Sequence, residues 1–146
     1  MMKQNGEQVM IQLHTSIDDD GNIENNHVKL TGQFFNRNDI DVLIYEEELE
    51  EGVKIKNLVT IQAERVNIKR SGMITMNQQF LVDQITETHY EHPHGTFHME
   101  TFTHSITYES IKVSEQGRLV IDCTVKLNGL DERKHILELT YKENAE

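Results

Sequence analysis

Short strand-like runs separated by turn signals recur along the whole chain. Turn-forming pairs such as Asp20-Gly21, Gln116-Gly117 and Asn128-Gly129 lie at short intervals, and residues of this kind favour tight turns between strands. Between the turns, apolar and polar residues alternate. The apolar-phase residues near the start of the chain are Val9, Ile11, Leu13, Thr15 and Ile17. Because period-two alternation turns every second side chain to one face of a strand, the pattern predicts an all-β protein.

The spacing of the turns predicts about eight to ten short strands in an antiparallel barrel or sandwich. Every connection looks short, which favours an up-and-down meander. Closing that meander into a barrel would remove the exposed strand edges that promote aggregation. With 146 residues and 17.0 kDa, we expect one β-barrel domain over residues 1–146, with the polar residues 1–7 as a disordered N-terminal tail.

The charge and composition of the chain argue against nucleic-acid and membrane partners. The net charge is −11, from 25 acidic and 14 basic residues, and an acidic chain without a basic cluster is a poor nucleic-acid binder. No apolar run approaches the ~20 residues of a membrane helix, and the polar start lacks a signal-peptide core. The single Cys123 lies in phase with apolar residues and is expected to be a buried thiol. We therefore expect a cytoplasmic protein with neither nucleic-acid nor membrane partners.

The strand-like segment around Arg70 carries polar residues in an apolar phase. Every second residue reads Val66, Ile68, Arg70, Gly72, Ile74, Met76, Gln78 and Phe80. Buried polar groups need partners, and a guanidinium in a barrel lumen suits a carboxylate or another small anion. Two alternatives stay open: Arg70 pairs with an internal acid such as Asp122 or lies at the rim, or a bulge at Gly72 reverses the phase.

A hairpin turning at Pro93-His94 supplies a compatible polar lining. Its predicted register pairs Tyr90 with Phe97, Thr88 with Met99, and Thr86 with Thr101. In the predicted lumen, Arg70 and Gln78 orient the polar end of a ligand. The other residues predicted to contact it are Met76, Phe80, Tyr90, Phe97, Met99 and Thr101.

The opposite face of this hairpin is rich in histidine and glutamate. The same register pairs His89 with His98 and Glu87 with Glu100. Two imidazoles and two carboxylates are ligands that zinc accepts, although the spacing matches no established metal motif and a solvated outer face explains it more simply. The acidic run at residues 46–51 is interpreted as a solvated turn. No cofactor is expected.

An ordered series of landmarks resembles the YwiB family of small bacterial proteins with no assigned function. The landmarks are Val28–Phe35, Arg70–Gly72 with Met76 and Phe80, Tyr90–Met99 and Leu137–Tyr141. The resemblance implies a calycin-like β-barrel, the architecture of the lipocalins. It implies no reaction and no catalytic residues.

Catalytic motifs give no positive reason to predict an enzyme. The chain has no Gly-x-Ser-x-Gly sequence and no phosphate-binding glycine loop. The favoured hypothesis is a barrel that binds a small, partly apolar and possibly anionic molecule in its lumen. The alternative is an interaction module with a filled core that uses the outward pair Ile85 and Phe102, including the case of a homodimer. A metal site on the histidine-rich face is the third hypothesis.

Overall fold

The computed structural model describes residues 6–48 and 52–144, and within them the chain forms ten β-strands. The predicted all-β, antiparallel barrel is confirmed. The strands are β1 (Glu7–Asp19), β2 (Asn22–Arg37), β3 (Ile40–Glu48), β4 (Lys54–Gln62), β5 (Arg65–Gly72), β6 (Met76–Leu81), β7 (Ile85–His92), β8 (Gly95–Glu109), β9 (Gly117–Leu127) and β10 (Glu132–Glu143).

Strands extend into two segments that were predicted to lack them. Glu7 begins β1, so the predicted tail is too long at its C-terminal end, and residues 1–5 lie outside the described residues. The acidic run was expected to be a turn, yet Glu46–Glu48 complete β3. Residues 49–51 lie outside the described residues. The alternation of inward and outward residues on β3 continues through Glu48. Composition alone therefore placed the end of this strand too early.

One antiparallel sheet has the strand order β6-β5-β4-β3-β2-β1-β10-β9-β8-β7. Strands that follow one another in the chain pair with each other, except β6 and β7, and β1 pairs with β10 over a ladder from Val9–Glu143 to Asp18–Lys134. The sheet is thus an up-and-down meander, as predicted. Its two outermost strands, β6 and β7, are consecutive in the chain, so a short connection brings the edges of the sheet together.

The edges of β6 and β7 meet along a seam that threonine side chains bridge. At one end of the seam the backbones of Thr75 and Glu91 exchange hydrogen bonds of 3.0 and 2.9 Å. Further along, the Thr88 hydroxyl donates to the carbonyl of Asn77 at 3.2 Å, and Thr86 donates to the carbonyl of Gln79 at 2.6 Å. The barrel is therefore nearly closed, with side-chain hydrogen bonds where a backbone ladder would otherwise run.

Inward-facing apolar side chains from the strands form one hydrophobic core. The fully buried ones include Ile11, Leu43, Val59, Leu119 and Ile121. Gly32 permits a close approach of β2 to its neighbours, since a Cβ there would come within 2.6 Å of the Ile44 carbonyl oxygen. A glycine inside a strand often marks such a close approach of another backbone.

Candidate functional site: the arginine end of the barrel

The inward face of β3 carries a carboxylate near each end. Its inward residues are Asp41, Leu43, Tyr45 and Glu47, all buried except the half-buried Glu47. Six residues of extended strand separate the two carboxylates by about 20 Å. We call the barrel end around Asp41, Tyr108 and Tyr141 the tyrosine end, and the end around Glu47, Asn57 and Arg70 the arginine end.

Arg70 and Gln78 face the interior together. Arg70 lies opposite Met76 across the β5–β6 ladder, and Ile68 lies opposite Gln78. Directly opposed residues project to the same face of a sheet, so the phase is unbroken from β5 into β6. Gly72, with φ of 135°, comes after Arg70 and does not reverse it.

Arg70 makes an ion pair inside the barrel, but with Glu47 rather than Asp122. Its Nη2 donates to Glu47 Oε1 at 2.9 Å, with side chains 24% and 19% exposed. Asp122 lies opposite Ile136, which is 44% exposed, and so points outward. The prediction that Arg70 pairs with an internal acid is therefore correct, but the acid is Glu47 and not Asp122.

Asn57 joins this pair into a triad of side chains. Its Oδ1 accepts a hydrogen bond from Arg70 Nε at 3.1 Å, and its Nδ2 donates to Glu47 Oε1 at 3.0 Å. Asn57 is 2% exposed and lies on β4 between the buried Ile55 and Val59. We refer to Glu47, Asn57 and Arg70 as the Arg70 triad. Its three members come from three neighbouring strands, which fixes their relative positions.

A cavity of about 310 Å³ adjoins the Arg70 triad. Its walls are mainly aliphatic, aromatic and sulfur-containing side chains from seven strands. The apolar lining residues are Leu13, Ile17, Val28, Tyr45, Ile68, Met76, Phe80, Cys123, Val125, Leu137 and Leu139. Thr15, Asn26, Gln78, His135 and the triad add the polar groups. The cavity is thus an apolar chamber with its charged groups gathered at one place.

Burial controls the ionisation of the groups around the cavity. Burial and the Glu47 carboxylate raise the pKa of Tyr45, while Arg70 opposes the shift. Burial raises the pKa of the Cys123 thiol to about 12, so this cysteine is an unreactive wall group. Burial, helped by the positive charge of Arg133, lowers the pKa of His135. The imidazole consequently favours its neutral form.

Sequence comparison places the chain among barrels of the same kind. The DUF1934 family model, described as a domain of unknown function, matches residues 11–139. The chain belongs to the DUF1934 family. It is 31% identical over 134 residues to the uncharacterized beta-barrel protein YwiB of Bacillus subtilis (strain 168), covering 92% of each protein.

A solved structure agrees with the DUF1934 assignment. The crystal structure of the ywiB protein from Bacillus subtilis matches with a TM-score of 0.86 at 29% identity, covering 99% of this chain and 96% of that one. The predicted family resemblance is confirmed, and with it the barrel. Neither the family description nor these names assign an activity.

The predicted ligand-contacting residues of this DUF1934 barrel divide between two cavities. Gln78, Met76 and Phe80 line the 310 Å³ cavity with Arg70. Tyr90 and Met99 line a second cavity of about 490 Å³, which shares Val125 and His135 with the first. The remaining two, Thr101 and Phe97, line neither cavity. Thr101 is fully buried and accepts a hydrogen bond from Gln78 Nε2 at 2.9 Å, while Phe97 packs edge-on against Tyr90.

The hairpin register predicted for β7 and β8 is the observed one, from Ile85–Phe102 to Tyr90–Phe97. Its outer face therefore does bring His89 and His98 together, with ring centroids 5.4 Å apart. His98 Nε2 lies 3.1 Å from Glu87 Oε1. However, within residues 6–48 and 52–144 no group of three or more His, Cys, Asp or Glu side chains is placed to hold a metal ion. The zinc site with Glu100 stays a prediction that this geometry does not favour.

The tyrosine end of the DUF1934 barrel holds a polar cluster that sequence reasoning missed. The Tyr108 hydroxyl donates to Asp41 Oδ2 at 2.6 Å and contacts the Tyr141 hydroxyl. Asn36 Nδ2 donates to the other Asp41 oxygen at 2.7 Å. The backbone N–H of Ile111, in the β8–β9 connection, donates to Tyr141 at 3.4 Å. Every strong acceptor of this cluster has a partner within the protein.

Two triad members were also missed, for different reasons. Glu47 follows Asp41, Leu43 and Tyr45 in strict alternation, and that phase was the available signal. Asn57 continues the alternation of Ile55, Val59 and Ile61, and the same signal indicated that it faces inward.

In the described part of the chain, no helix is long and apolar enough to span a membrane.

Proposed function

We propose that this DUF1934 protein binds a small, partly apolar molecule in the barrel lumen, with the polar end of that molecule at the Arg70 triad. The observation that carries the proposal is the 310 Å³ cavity, in which charged groups gather at one pole of an apolar chamber. Ligand sites commonly combine apolar walls with a few fixed polar groups. The proposal treats the family as binding proteins and calls for no catalytic residue.

The cavity volume limits the size of the ligand. It is twice the roughly 150 Å³ of an engineered apolar cavity that admits benzene. A ligand of roughly twelve non-hydrogen atoms fits this space. Larger molecules would extend past Val125 and His135 into the second cavity, whose walls include Tyr90 and Met99.

The test is a screen of a metabolite and lipid library by thermal shift and native mass spectrometry. We expect at least one compound to raise the unfolding temperature of the wild-type protein. Leu137→Trp, which fills the cavity, should abolish that binding. The matched control is Ile136→Trp, since Ile136 is the adjacent residue and points outward with 44% exposure. A library without any binder, or a binder unaffected by Leu137→Trp in a folded variant, would contradict the proposal.

A second candidate is an interaction surface on the outer face of the β7–β8 hairpin. Ile85 is 63% exposed and lies directly opposite Phe102. Phe102 itself is half-buried. An exposed apolar side chain on an outer face can mark contact with a partner, including a second copy of the chain. Size-exclusion chromatography of the wild type and Phe102→Ser at several concentrations tests it. An unchanged, monomeric elution volume for both proteins argues against the homodimer.

A further inference from the structure

We infer that the head group accepted at the Arg70 triad is uncharged and both donates and accepts hydrogen bonds, as a primary carboxamide does, and is not a carboxylate. The inference rests on the proposed lumenal function and names the class of its ligand. It replaces the anionic ligand expected from the sequence, because that expectation considered Arg70 without Glu47.

The charges lining the cavity already balance. Among the described residues that line it, Arg70 and Glu47 are the charged side chains at neutral pH, and their atoms are 2.9 Å apart. His135 is held towards its neutral form by burial. A carboxylate entering this space would gain contact with Arg70 but would also lie close to the Glu47 carboxylate. Like charges in a partly buried site repel one another.

The Arg70 triad keeps both unused hydrogen-bond donors and an unused acceptor. Arg70 donates one proton from Nε and one from Nη2 within the triad, which leaves both protons of Nη1 and the second proton of Nη2. Glu47 accepts both of its triad bonds through Oε1, and within the described residues Oε2 has no hydrogen-bond partner. A group that recognises both must accept from the guanidinium and donate to the carboxylate. A carboxylate offers acceptors alone.

Asn57 shows what chemistry fits this ion pair. Its side chain is itself a carboxamide, whose oxygen accepts from Arg70 at 3.1 Å and whose nitrogen donates to Glu47 at 3.0 Å. The protein thus satisfies one edge of the Arg70–Glu47 pair with a carboxamide from β4. A ligand carboxamide would satisfy the remaining groups with the same pattern of one acceptor and two donors.

Three probes of equal chain length separate the head groups: octanamide, octanoate and octan-1-ol. Binding is measured by isothermal titration calorimetry at pH 7.5, with NMR shifts of the Met76 methyl group reporting occupancy of the cavity. We expect wild-type protein to bind octanamide at least about tenfold more tightly than octanoate, with the alcohol between them. Octanoate binding as tightly as octanamide overturns the inference and leaves the lumenal function standing.

Glu47→Gln provides the reverse test. Removing the carboxylate leaves the charge of Arg70 unbalanced, so this variant should prefer octanoate to octanamide. The matched control is Glu46→Gln, because Glu46 precedes it on β3, is exposed and points outward, and it should keep the wild-type ranking. A folded Glu47→Gln variant that keeps the wild-type ranking contradicts the inference.

Failures of the two proposals are distinguishable. If none of the three probes binds the wild type, the head-group inference is wrong as stated, whereas the lumenal function fails only if the wider library also contains no binder. Should Glu47→Gln fail to fold, the wild-type ranking of octanamide and octanoate still decides the inference.

Discussion

Each end of the barrel holds an inward-facing carboxylate of β3. Among the described residues, Asp41 has hydrogen-bond donors on both of its oxygens, whereas Glu47 has them on only one. At the tyrosine end, Asp41 receives hydrogen bonds from Tyr108 and Asn36 on its two oxygens. At the arginine end, Glu47 receives both of its bonds on a single oxygen, beside a 310 Å³ cavity. A fully satisfied polar cluster specifies packing, whereas unused hydrogen-bonding capacity beside a cavity is what a binding site requires.

The largest effect that separates the two ends is the removal of a buried tyrosine from each. Tyr141 is 1% exposed and packs against Phe34 with ring centroids 5.4 Å apart. Tyr141→Ala should lower the free energy of unfolding by about 3–5 kcal/mol. Tyr45→Ala should cost less, about 1–3 kcal/mol, because Tyr45 already borders a cavity and makes fewer contacts on that side. Urea unfolding measures both, and equal losses would remove the distinction between the ends.

The next effect is the loss of the carboxylate at the tyrosine end. Asp41→Leu deprives Tyr108 and Asn36 of their acceptor, and we expect a loss of about 2 kcal/mol in the free energy of unfolding. Asp41→Asn keeps one acceptor oxygen and should cost about half as much. Unfolding curves of the two variants check this order. If Asp41→Leu is as stable as wild type, the cluster does not hold the tyrosine end together.

The arginine end should tolerate the equivalent change when the whole Arg70 triad is replaced. Arg70→Met alone should cost about 1 kcal/mol, a value discounted because the pair is partly exposed. Arg70→Met combined with Glu47→Leu and Asn57→Leu should restore the stability to within about 1 kcal/mol of wild type, since apolar replacement of an ion pair together with its buried hydrogen-bond partner is often neutral. The triple variant should nevertheless lose octanamide binding. A triple variant markedly less stable than the single one would make the triad structural.

The smallest expected effect is in the pH dependence at the arginine end. Burial lowers the pKa of His135 from its ordinary value of 6.5. The unfolded chain therefore binds the proton more readily, so this contribution to stability is complete above about pH 6.5 and declines as the pH falls. His135→Gln should flatten the decline in unfolding free energy between pH 7 and 5, whereas His27→Gln, a change at an exposed site, serves as the control. An unchanged slope in His135→Gln contradicts the assignment.

The sequence predicted local features better than those that require closure of the barrel. Alternation placed Arg70 and Gln78 on one inward face, and the turn at Pro93-His94 set the whole β7–β8 register. Both depend on neighbouring strands alone. Thr86 and Thr88 were predicted to line the lumen, yet their hydroxyls bond the carbonyls of β6. That role appears only when the two edges of the sheet meet.

Long-range partners explain the remaining omissions. Tyr108 and Asp41 are 67 positions apart, and no local pattern indicates that they approach each other. The inward position of Glu47 was missed for another reason. The acidic run in which it lies is typical of a solvated turn, although Glu47 continues the alternation of inward residues on β3. For β3, the alternation of side chains predicted the extent of the strand better than the local charge did.

The strand order has a consequence for how the chain reaches its native state. Every ladder joins strands that follow one another in the chain, with the exception of β1–β10, where for example Ile17 meets His135. The strands β1–β6 and β7–β10 can therefore each assemble from local hairpins, while the β1–β10 ladder must bring together residues more than a hundred positions apart. Non-local pairing of this kind is slow, because loop-closure entropy is lost before contacts compensate for it. We expect this ladder to limit the folding rate, and the threonine-bridged seam to form after it.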